Sequence, residues 1–347
     1  MTRKVLVTVQ KATNMSTESP LAGVDLVLAD LDGVIYRGQE AIPYAVESMN
    51  VIDSSIRIGY ITNNASRTDA SVAELLTGLG LRVVADDVVT SPQAAIRLLV
   101  DLVPAGSTIL VVGGDGLTSV VSAAGFVVTR SALDSPAAVI QGFAPEVGWT
   151  QLAEAAFALQ GEGRDIPWVA TNTDWTIPQA RGTAPGNGTL VSAVHTVVGR
   201  LPVVAGKPEV AIFEEAMRRF DATKAIMIGD RLDTDILGAN RAGISAVFVL
   251  TGIDQAKQVL AAAVQERPLF ILEDLRGLHE PYPATVESTD GAVVVTTVGQ
   301  SVVRRDGSVL VVAASGRKID LLRAGAAAIW NSGMPIYALD VPAELYS

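Results

Sequence analysis

Two carboxylates stand two residues apart near the start of the chain, directly after a short apolar run. The run covers residues 26–29, and Asp30, Leu31, Asp32 and Gly33 follow it. If the run is a buried parallel strand, both acids lie at its carboxyl end, where open α/β sheets bind ligands. Acids at such an edge are suited to nucleophilic attack and proton transfer. An isolated Asp-x-Asp-Gly is also a common acidic turn, so the pair alone leaves both interpretations open.

Three later segments carry further polar side chains. Two of them follow apolar runs, and the third lies between Gly206 and Pro208. In chain order they supply a hydroxyl with two amides, a lysine and three carboxylates: Thr62, Asn63, Asn64, Lys207, Asp230, Asp233 and Asp235. A threonine hydroxyl and N–H can bind a phosphate oxygen, and an ammonium can neutralise phosphate charge. Each segment alone has an ordinary explanation, as a helix N-cap or as a solvated surface charge. Their conjunction with the acid pair favours a functional site.

Composition excludes several kinds of site. The 347 residues carry a net charge of −11 and have a sequence pI of about 4.7, which argues against nucleic acid or an anionic membrane as a partner. Without cysteine there is no disulfide or thiol nucleophile, and His195 and His279 alone leave little room for zinc or histidine chemistry. No apolar run reaches the length of a membrane span or a signal-peptide core. We expect a cytoplasmic protein that binds a small molecule and does not insert into membranes.

The polar segments lie in a chain that alternates short apolar runs with helical periodicity. Apolar runs at 26–29, 56–61, 225–228 and 246–250 predict strands. Between them, helical spacing recurs, for example in a stripe at positions 213, 216, 217 and 220. Such alternation is typical of βαβ units. We therefore predict an α/β fold with a Rossmann-like, doubly wound parallel sheet as its core.

The same patterns divide the chain into several parts. We predict a mobile leader over 1–20, in which Met15 is an alternative start to Met1. The core then comprises 21–99 and 189–280, and a separate α/β unit occupies 100–188. Residues 281–347, the C-terminal unit, show two or three strands, an Asp306-Gly307 turn and a helix over 319–330, which predicts an α+β appendix. Because so small a unit cannot bury its own apolar surface, we expect it to mediate interaction or homo-oligomerisation.

In their order along the chain, the polar segments resemble the four-motif signature of the haloacid dehalogenase superfamily. The chain is most similar to the subgroup of NagD-type nucleotidases, p-nitrophenyl phosphatases, and phosphoglycolate and glycerol-3-phosphate phosphatases. The matching motifs are Asp-Gly-Val-Ile-Tyr from Asp32, Ile-Thr-Asn-Asn-Ala-Ser from Ile61, Gly-Lys-Pro from Gly206, and Gly-Asp-x-x-x-Thr-Asp-Ile from Gly229. The likeness covers about residues 24–276 and implies a phosphatase.

The stretch between the second and third motifs resembles the large α/β cap of that subgroup. Thr62 and Lys207 are 145 residues apart (207 minus 62), far more than a βα crossover needs. Within the stretch, residues 170–174 resemble the subgroup's Ala-Thr-Asn-Pro-Asp segment, and residues 184–188 resemble its Pro-Gly-x-Gly return. Thr173 stands where the subgroup has proline, which implies a less rigid loop. The inserted α/β unit is therefore expected to be a cap over the site.

The resemblance implies a role for each motif residue. Asp30 would form an aspartyl-phosphate, and Asp32 would protonate the leaving group and then activate water. A Mg²⁺ ion would bind the side chains of Asp30 and Asp230 and the backbone carbonyl of Asp32. Asp235 would orient the lysine or cap its own helix. Phosphate binding is implied for Thr62, Asn63, Asn64 and Lys207.

Polar residues of the cap are candidates for recognising the leaving group. Asn172, Asp174 and Trp175 follow a predicted cap strand, although an exposed Asx turn also explains the first two. Cap closure over a site generally excludes water. Trp149 and Trp168 are expected in the core of the cap.

The resemblance indicates the type of reaction more closely than it indicates the substrate. It favours hydrolysis of glycerol 3-phosphate, with roles in glycerophospholipid breakdown or glycerol recycling. Phosphoglycolate, nucleotides and pyridoxal phosphate stay open as alternative substrates. A mutase, dehalogenase or ATPase of the same fold ranks lower. The alternative of a different class is a non-catalytic, phosphate-binding regulatory module, which the presence of all four catalytic positions disfavours.

Overall fold

A parallel sheet whose strands are buried on both faces forms the centre of the molecule. The computed structural model describes residues 11–14, 18–65, 67–160, 165–179 and 181–346, within which strands β1 to β20 and helices α1 to α10 are numbered along the chain. The central sheet has six parallel strands in the spatial order β16 (Phe270–Leu272), β15 (Ser245–Val249), β14 (Ala225–Gly229), β2 (Leu26–Ala29), β5 (Arg57–Thr62) and β6 (Val88–Thr90). Leu26 and Leu28 face one hydrophobic cluster, and Val27 and Ala29 face another. Side chains alternate between the two faces of a strand, so both faces need a helical layer.

Helices cover both faces of this sheet, which confirms the predicted doubly wound α/β core. One face is covered by α3 (Ser91–Leu102), α7 (Val210–Phe220), α8 (Leu237–Arg241) and α9 (Ala256–Ala261). The other face is covered by α1 (Ala45–Asn50) and α2 (Asp69–Gly78). A small hairpin of β3 (Tyr36–Arg37) and β4 (Glu40–Ala41) follows β2. Beyond β14, the π-helical turn Leu232–Ile236 leads into α8.

The cap contains a second parallel sheet. Its spatial order is β13 (Val203–Val204), β10 (Trp168–Ala170), β9 (Ala138–Gln141), β7 (Thr108–Val112) and β8 (Val127–Thr129). Its helices and hairpin are α4 (Asp115–Ala123), α5 (Trp149–Leu159), α6 (Asn187–Val198), β11 (Thr176–Gln179) and β12 (Gly182–Pro185). Two features lie beyond the predicted cap end at residue 188. Strand β13 pairs with β10, and α6 contributes Val191 and Val194 to the hydrophobic cluster that contains Trp168.

The two tryptophans expected in the cap core have different environments. Trp168 on β10 is buried, as predicted. Trp149 at the start of α5 is 80% exposed, so its prediction was wrong. Helical periodicity assigns Trp149 to a helix but does not determine which face of that helix is covered.

The C-terminal unit is an antiparallel sheet with one helix. Its strands run in the order β1 (Lys11–Asn14), β17 (Thr285–Asp290), β18 (Val293–Val298), β19 (Ser301–Asp306) and β20 (Val309–Ala314), followed by α10 (Lys318–Trp330). The turn at Asp306-Gly307 lies between β19 and β20, as predicted. Part of the predicted mobile leader differs, because Lys11–Asn14 pair with β17. Met1, Met15 and the choice of start lie outside the described residues.

Helix α10 joins the C-terminal unit to the central sheet. Ile319 and Leu322 belong to the same hydrophobic cluster as Phe248 and Val259 of the core. The Arg323 guanidinium donates to the Ile271 carbonyl at 2.7 and 2.9 Å. Much of the apolar surface that favoured self-association is therefore covered by the chain's own core. None of the helices in the described ranges has the length and apolar character required to cross a bilayer.

Candidate active site

The carboxyl ends of three neighbouring central strands bring the predicted motifs together. Asp30 follows β2, Thr62 ends β5, and Asp230 follows β14. The strands are in parallel register, with Ala29 opposite both Ile228 and Tyr60, and the Asp30 N–H donates to the Ile228 carbonyl at 2.9 Å. Adjacent parallel strands end at the same edge of a sheet, so side chains distant in sequence share one crevice.

A buried ammonium connects two of the carboxylates. Lys207 is 4% exposed, and its Nζ lies 2.5 Å from Asp30 Oδ1 and 2.7 Å from Asp235 Oδ1. Burial lowers the pKa of Lys207, but the two carboxylates outweigh it and raise the pKa above its ordinary value. The lysine is therefore charged across the physiological range and places a fixed positive charge beside Asp30.

Asp30, Asp230 and Asp235 form a cluster of hard oxygen ligands. One carboxylate oxygen from each lies within 4.8 Å of the others. Asp230 Oδ2 accepts the Ile253 N–H at 2.7 Å, while its buried Oδ1 has no hydrogen-bond partner. Burial, reinforced by repulsion from Asp235, raises the pKa of Asp230 to about 7, and burial also raises the pKa of Asp30. An unpaired oxygen in such a cluster fits a divalent cation that prefers oxygen ligands.

Two glycines allow the backbone to approach this cluster closely. A Cβ at Gly33 or at Gly252 would overlap the Asp230 carboxylate. Gly33 also has φ +84°, in the left-handed region where side chains are unfavourable. The Thr251 hydroxyl donates to the Gly33 carbonyl at 2.7 Å and links the two loops. The glycine of the first motif, Gly33, is thus required because a side chain at this position would collide with Asp230.

Asp32 lies at the open side of the site beside two groups that sequence reasoning missed. Its side chain is exposed, whereas neighbouring Tyr36 is buried. Desolvation raises the pKa of Asp32 despite the attraction of Arg67 and Lys207. Desolvation and the Asp32 charge raise the pKa of Tyr36. Arg67 stands three residues after Asn64, and this proximity to the second motif was the only signal for it in the sequence.

The second motif divides into groups with different surroundings. The buried Thr62 hydroxyl oxygen accepts the Asn64 N–H at 3.1 Å, so its proton is available to another acceptor. Asn64 is exposed at the site. Asn63, in contrast, has both ends of its side-chain amide bonded to Lys207 and Asp174. The Asn63 side chain is therefore engaged by protein partners, and phosphate binding by Asn63 stays a prediction.

The three predicted cap residues also have different environments. The buried Asn172 side chain donates to the Asn63 carbonyl at 2.7 Å, and half-buried Asp174 accepts from Asn63 Nδ2 at 3.2 Å. Trp175 is 65% exposed, and its carbonyl accepts from the Thr189 hydroxyl. The cap loop thus contacts the catalytic loops through Asn172 and Asp174.

A cavity of about 330 Å³ lies between the core and α4 of the cap. Arg67, Asp69 and Gln93 line it from the core, and Gly116 and Ser119 line it from α4. Arg67 belongs both to this cavity and to the surroundings of Asp32. Arg67 therefore links this cavity to the catalytic edge.

Comparison with known proteins agrees with the motifs. Family models described as haloacid dehalogenase-like hydrolase and HAD-hydrolase-like match residues 27–127 and 204–278. The chain is 40% identical over 317 residues to the D-glycerol 3-phosphate phosphatase of Mycobacterium tuberculosis, covering 89% of this chain and 86% of the relative. The chain belongs to the haloacid dehalogenase-like hydrolases. A second member, the chicken glycerol-3-phosphate phosphatase, is 36% identical over 261 residues, covering 69% of this chain and 83% of the relative.

Solved structures of the family support the same assignment. The glycerol phosphate phosphatase of M. tuberculosis in complex with magnesium aligns with a TM-score of 0.79 and 38% identity, covering 90% of this chain and 92% of the other. The p-nitrophenyl phosphatase of Archaeoglobus fulgidus aligns with a TM-score of 0.67 and 25% identity, covering 74% and 98%. The predicted resemblance is confirmed, and the enzyme is a phosphoric monoester hydrolase of this family.

The extent of the likeness was underestimated from the motifs. The alignment covers 89% of the 347 residues, which is more than the 280 residues that precede the C-terminal unit, so it includes part of that unit. The p-nitrophenyl phosphatase covers less of this chain. The C-terminal unit is therefore shared with some relatives within the family, although it contains none of the four motifs.

Proposed function

We propose that this enzyme is a magnesium-dependent phosphatase that hydrolyses small phosphate monoesters through a phosphorylated Asp30. The observation that carries the proposal is the placement of Asp30 between the Lys207 ammonium and the Asp230 carboxylate. Attack by an Asp30 oxygen forms a bond to phosphorus as the ester oxygen leaves, and the resulting acyl phosphate is then hydrolysed. The two displacements return Asp30 to its carboxylate form.

Asp32 is suited to transfer the protons that these two steps require. Desolvation raises the pKa of Asp32, a direction that suits this residue to giving a proton to the departing alkoxide. The carboxylate formed in this way then accepts a proton from the attacking water, which restores the starting state. Exposure of Asp32 at the open side of the site gives it access to both the leaving group and water.

Positive charge is needed because the nucleophile and the substrate are both anions. Two unit charges about 4 Å apart repel by roughly 4 kcal/mol at an effective dielectric constant of about 20. Lys207 provides one positive charge at Asp30, and Arg67 provides another near Asp32. The Thr62 hydroxyl and the Asn64 region are proposed to bind the phosphate oxygens.

The carboxylate cluster is proposed to hold Mg²⁺ through Asp30, Asp230 and the backbone carbonyl of Asp32. When bound, the ion would neutralise charge on the phosphate and its attacking carboxylate. Asp235 lies in the same cluster, but its contact with Lys207 suits it to orienting the ammonium. The unpaired Asp230 Oδ1 gives the cluster an oxygen that is free to bind the ion.

Magnesium binding is expected to stabilise the fold, and Asp230→Asn is expected to remove most of that effect. A ligand present at about 100 times its dissociation constant stabilises the folded state by about 2.7 kcal/mol. Thermal unfolding with and without Mg²⁺ measures this difference independently of turnover. The matched control is Asp233→Asn, which alters an exposed carboxylate of the same loop and should retain the stabilisation. Equal Mg²⁺ stabilisation in Asp230→Asn would contradict the assignment.

Glycerol 3-phosphate is the proposed substrate. Two relatives that match most of their own length are named as phosphatases of this ester. The chain is also 32% identical over 251 residues to the acid sugar phosphatase of Staphylococcus saprophyticus, which keeps other polyol phosphates as alternatives. The side chains of Asp174 and Arg67 are polar groups near the site that suit a hydroxylated leaving group.

A phosphate-release panel with Mg²⁺ tests this choice. We expect kcat/KM for glycerol 3-phosphate to exceed that for phosphoglycolate, a nucleoside monophosphate, pyridoxal phosphate and a sugar phosphate by about tenfold or more. A higher kcat/KM for one of these esters would change the substrate while keeping the reaction. Absence of phosphate release from every ester would favour the non-catalytic, phosphate-binding alternative.

The remaining proposals concern organisation. We propose a core of residues 21–99 and 205–280, a cap over the intervening segment, and a cytoplasmic location.

Homo-oligomerisation is proposed through the face of the C-terminal sheet opposite α10, where Val311 is 53% exposed. Light scattering of the wild type should give a mass that is a multiple of the 36.2 kDa chain mass. Val311→Lys should lower that measured mass. A monomeric wild type would contradict this proposal.

A further inference from the structure

The Asn63 side chain holds the backbone of the residue that carries the catalytic ammonium. Its Oδ1 accepts the Lys207 N–H at 2.8 Å, and its Nδ2 donates to the Lys207 carbonyl at 3.0 Å. One amide therefore binds both polar backbone groups of Lys207 across 144 positions of sequence. Such a paired contact fixes both the position and the orientation of the peptide from which the lysine side chain extends.

The same residue is also the contact point of the cap loop. The second Nδ2 hydrogen is donated to Asp174 Oδ1 at 3.2 Å, and the Asn63 carbonyl accepts Asn172 Nδ2 at 2.7 Å. The Ser91 hydroxyl donates to that carbonyl at 2.8 Å and anchors it to α3 of the core. Asn63 is thus bonded at once to the cap loop, the lysine loop and the core.

Close packing leaves little freedom in this arrangement. A Cβ at Gly206 would lie 2.5 Å from Asn63 Oδ1 and 2.7 Å from the Thr171 carbonyl of the cap. The glycine before Lys207 is therefore needed so that the lysine loop can pass between Asn63 and the cap. A displacement of the cap loop would be transmitted through Asn63 to the Lys207 backbone, because no empty space separates them.

We propose that Asn63 is a positioning residue that couples the seating of the cap loop, residues 172–174, to the placement of the Lys207 ammonium against Asp30. This inference rests on the proposed phosphatase function and adds a role for a residue expected to contact phosphate. Asn63 acts through Lys207 and touches no reacting atom. Seating the cap loop over substrate would complete the charge arrangement at the nucleophile, so chemistry would be tied to closure.

The test uses the full chain, saturating Mg²⁺ and two substrates, glycerol 3-phosphate and p-nitrophenyl phosphate. Asn63→Asp keeps the acceptor for the Lys207 N–H but replaces both Nδ2 donations with a carboxylate oxygen. We expect kcat to fall by about tenfold to a hundredfold on both substrates, because a small displacement of a catalytic group has effects of this size. KM should change by less than about threefold, since the Thr62 hydroxyl and the Asn64 region, which are proposed to bind the phosphate oxygens, are unchanged.

Two further variants separate coupling from general damage. Asp174→Leu keeps both contacts of Asn63 to Lys207 and removes one of its two cap contacts, leaving the bond from Asn172. It should lower kcat on p-nitrophenyl phosphate, which has no hydroxyl for Asp174 to recognise. The double variant Asn63→Asp with Asp174→Asn exchanges the amide and the carboxylate. Its kcat should be at least about threefold higher than that of Asn63→Asp alone. Asn240→Asp is the matched control, because the Asn240 amide also donates to two backbone carbonyls, those of Gln265 and Arg267, away from the site.

The outcomes distinguish this inference from the function on which it rests. A wild-type enzyme that releases no phosphate overturns both. An active wild type with Asn63→Asp at full kcat overturns the coupling alone, as does an effect confined to KM. If Asn63→Asp has a lowered unfolding temperature, the decision rests on Asp174→Leu, where unchanged kcat on p-nitrophenyl phosphate contradicts the proposal.

Discussion

Asp30→Asn is expected to reduce phosphate release by more than about a thousandfold, because an amide cannot form the acyl phosphate. The substitution preserves shape, so the contact between Lys207 and the side-chain oxygen can persist. Stability should fall less than in a variant that removes the lysine, because Lys207 keeps its contact with Asp235. Burial raises the pKa of Asp30, which means that its ionised form is disfavoured in the fold, and a neutral side chain relieves that cost.

Two measurements check this expectation together. Phosphate release from glycerol 3-phosphate with Mg²⁺ reports turnover, and thermal unfolding in Mg²⁺-free buffer reports stability. The control Asp86→Asn changes an exposed aspartate of the core and should leave both within the range of the wild type. Retention of more than about a tenth of the wild-type rate in Asp30→Asn would exclude a covalent role for this residue.

Lys207→Met has the second large expected effect, and it should reduce both activity and stability. The variant keeps a long apolar stem but leaves Asp30 and Asp235 without their cation. Loss of one partner from a buried ion pair costs about 3–5 kcal/mol, because the remaining charges are buried and uncompensated. Turnover should fall by more than about a hundredfold, since the nucleophile loses both its positioning contact and the adjacent positive charge.

The stability loss in Lys207→Met should depend on pH. The folded-state pKa of Asp230 is already raised to about 7, above the value in an unfolded chain. A carboxyl with a raised folded pKa destabilises the fold above that pKa, and protonation relieves the effect as pH falls through it. Denaturant unfolding in Mg²⁺-free buffer should therefore show a smaller difference from the wild type at about pH 5 than at about pH 8.

The control for this variant is Lys224→Met, which removes an exposed lysine immediately before β14. Its stability and activity should match those of the wild type, because exposed charges contribute little. If Lys207→Met unfolded at the same denaturant concentration as Lys224→Met, the Lys207 ammonium would not hold the carboxylate cluster together.

Strand ends explain why much of the site was predictable from the sequence. Asp30, Thr62 and Asp230 each follow or end a short apolar run, and parallel strands place such residues at one edge. The order of the motifs also identified Lys207, although a lone lysine carries no local signal. Local patterns and family likeness were sufficient for these positions because each role is set by the residue's own strand or loop.

Features that depend on long-range contacts were not predictable in the same way. The bond between the Asn63 side chain and the Lys207 backbone was not predicted, because nothing near Asn63 in the sequence indicates a partner 144 residues away. The packing of α6 against the cap sheet was not predicted, since helical periodicity in α6 shows an apolar face but not the sheet that covers it. Pairing of Lys11–Asn14 with β17 joins opposite ends of the chain, and such register is set only in the folded sheet.

The central claim is that phosphate is transferred to Asp30 before it is released. Brief incubation of the full chain with Mg²⁺ and a radiolabelled phosphate monoester, followed by acid quenching and peptide mapping, tests this most directly. The account predicts label on the peptide that contains Asp30, loss of the label at alkaline pH, and no label in Asp30→Asn. Turnover of the same ester without label on that peptide, or with label on a different residue, would contradict it.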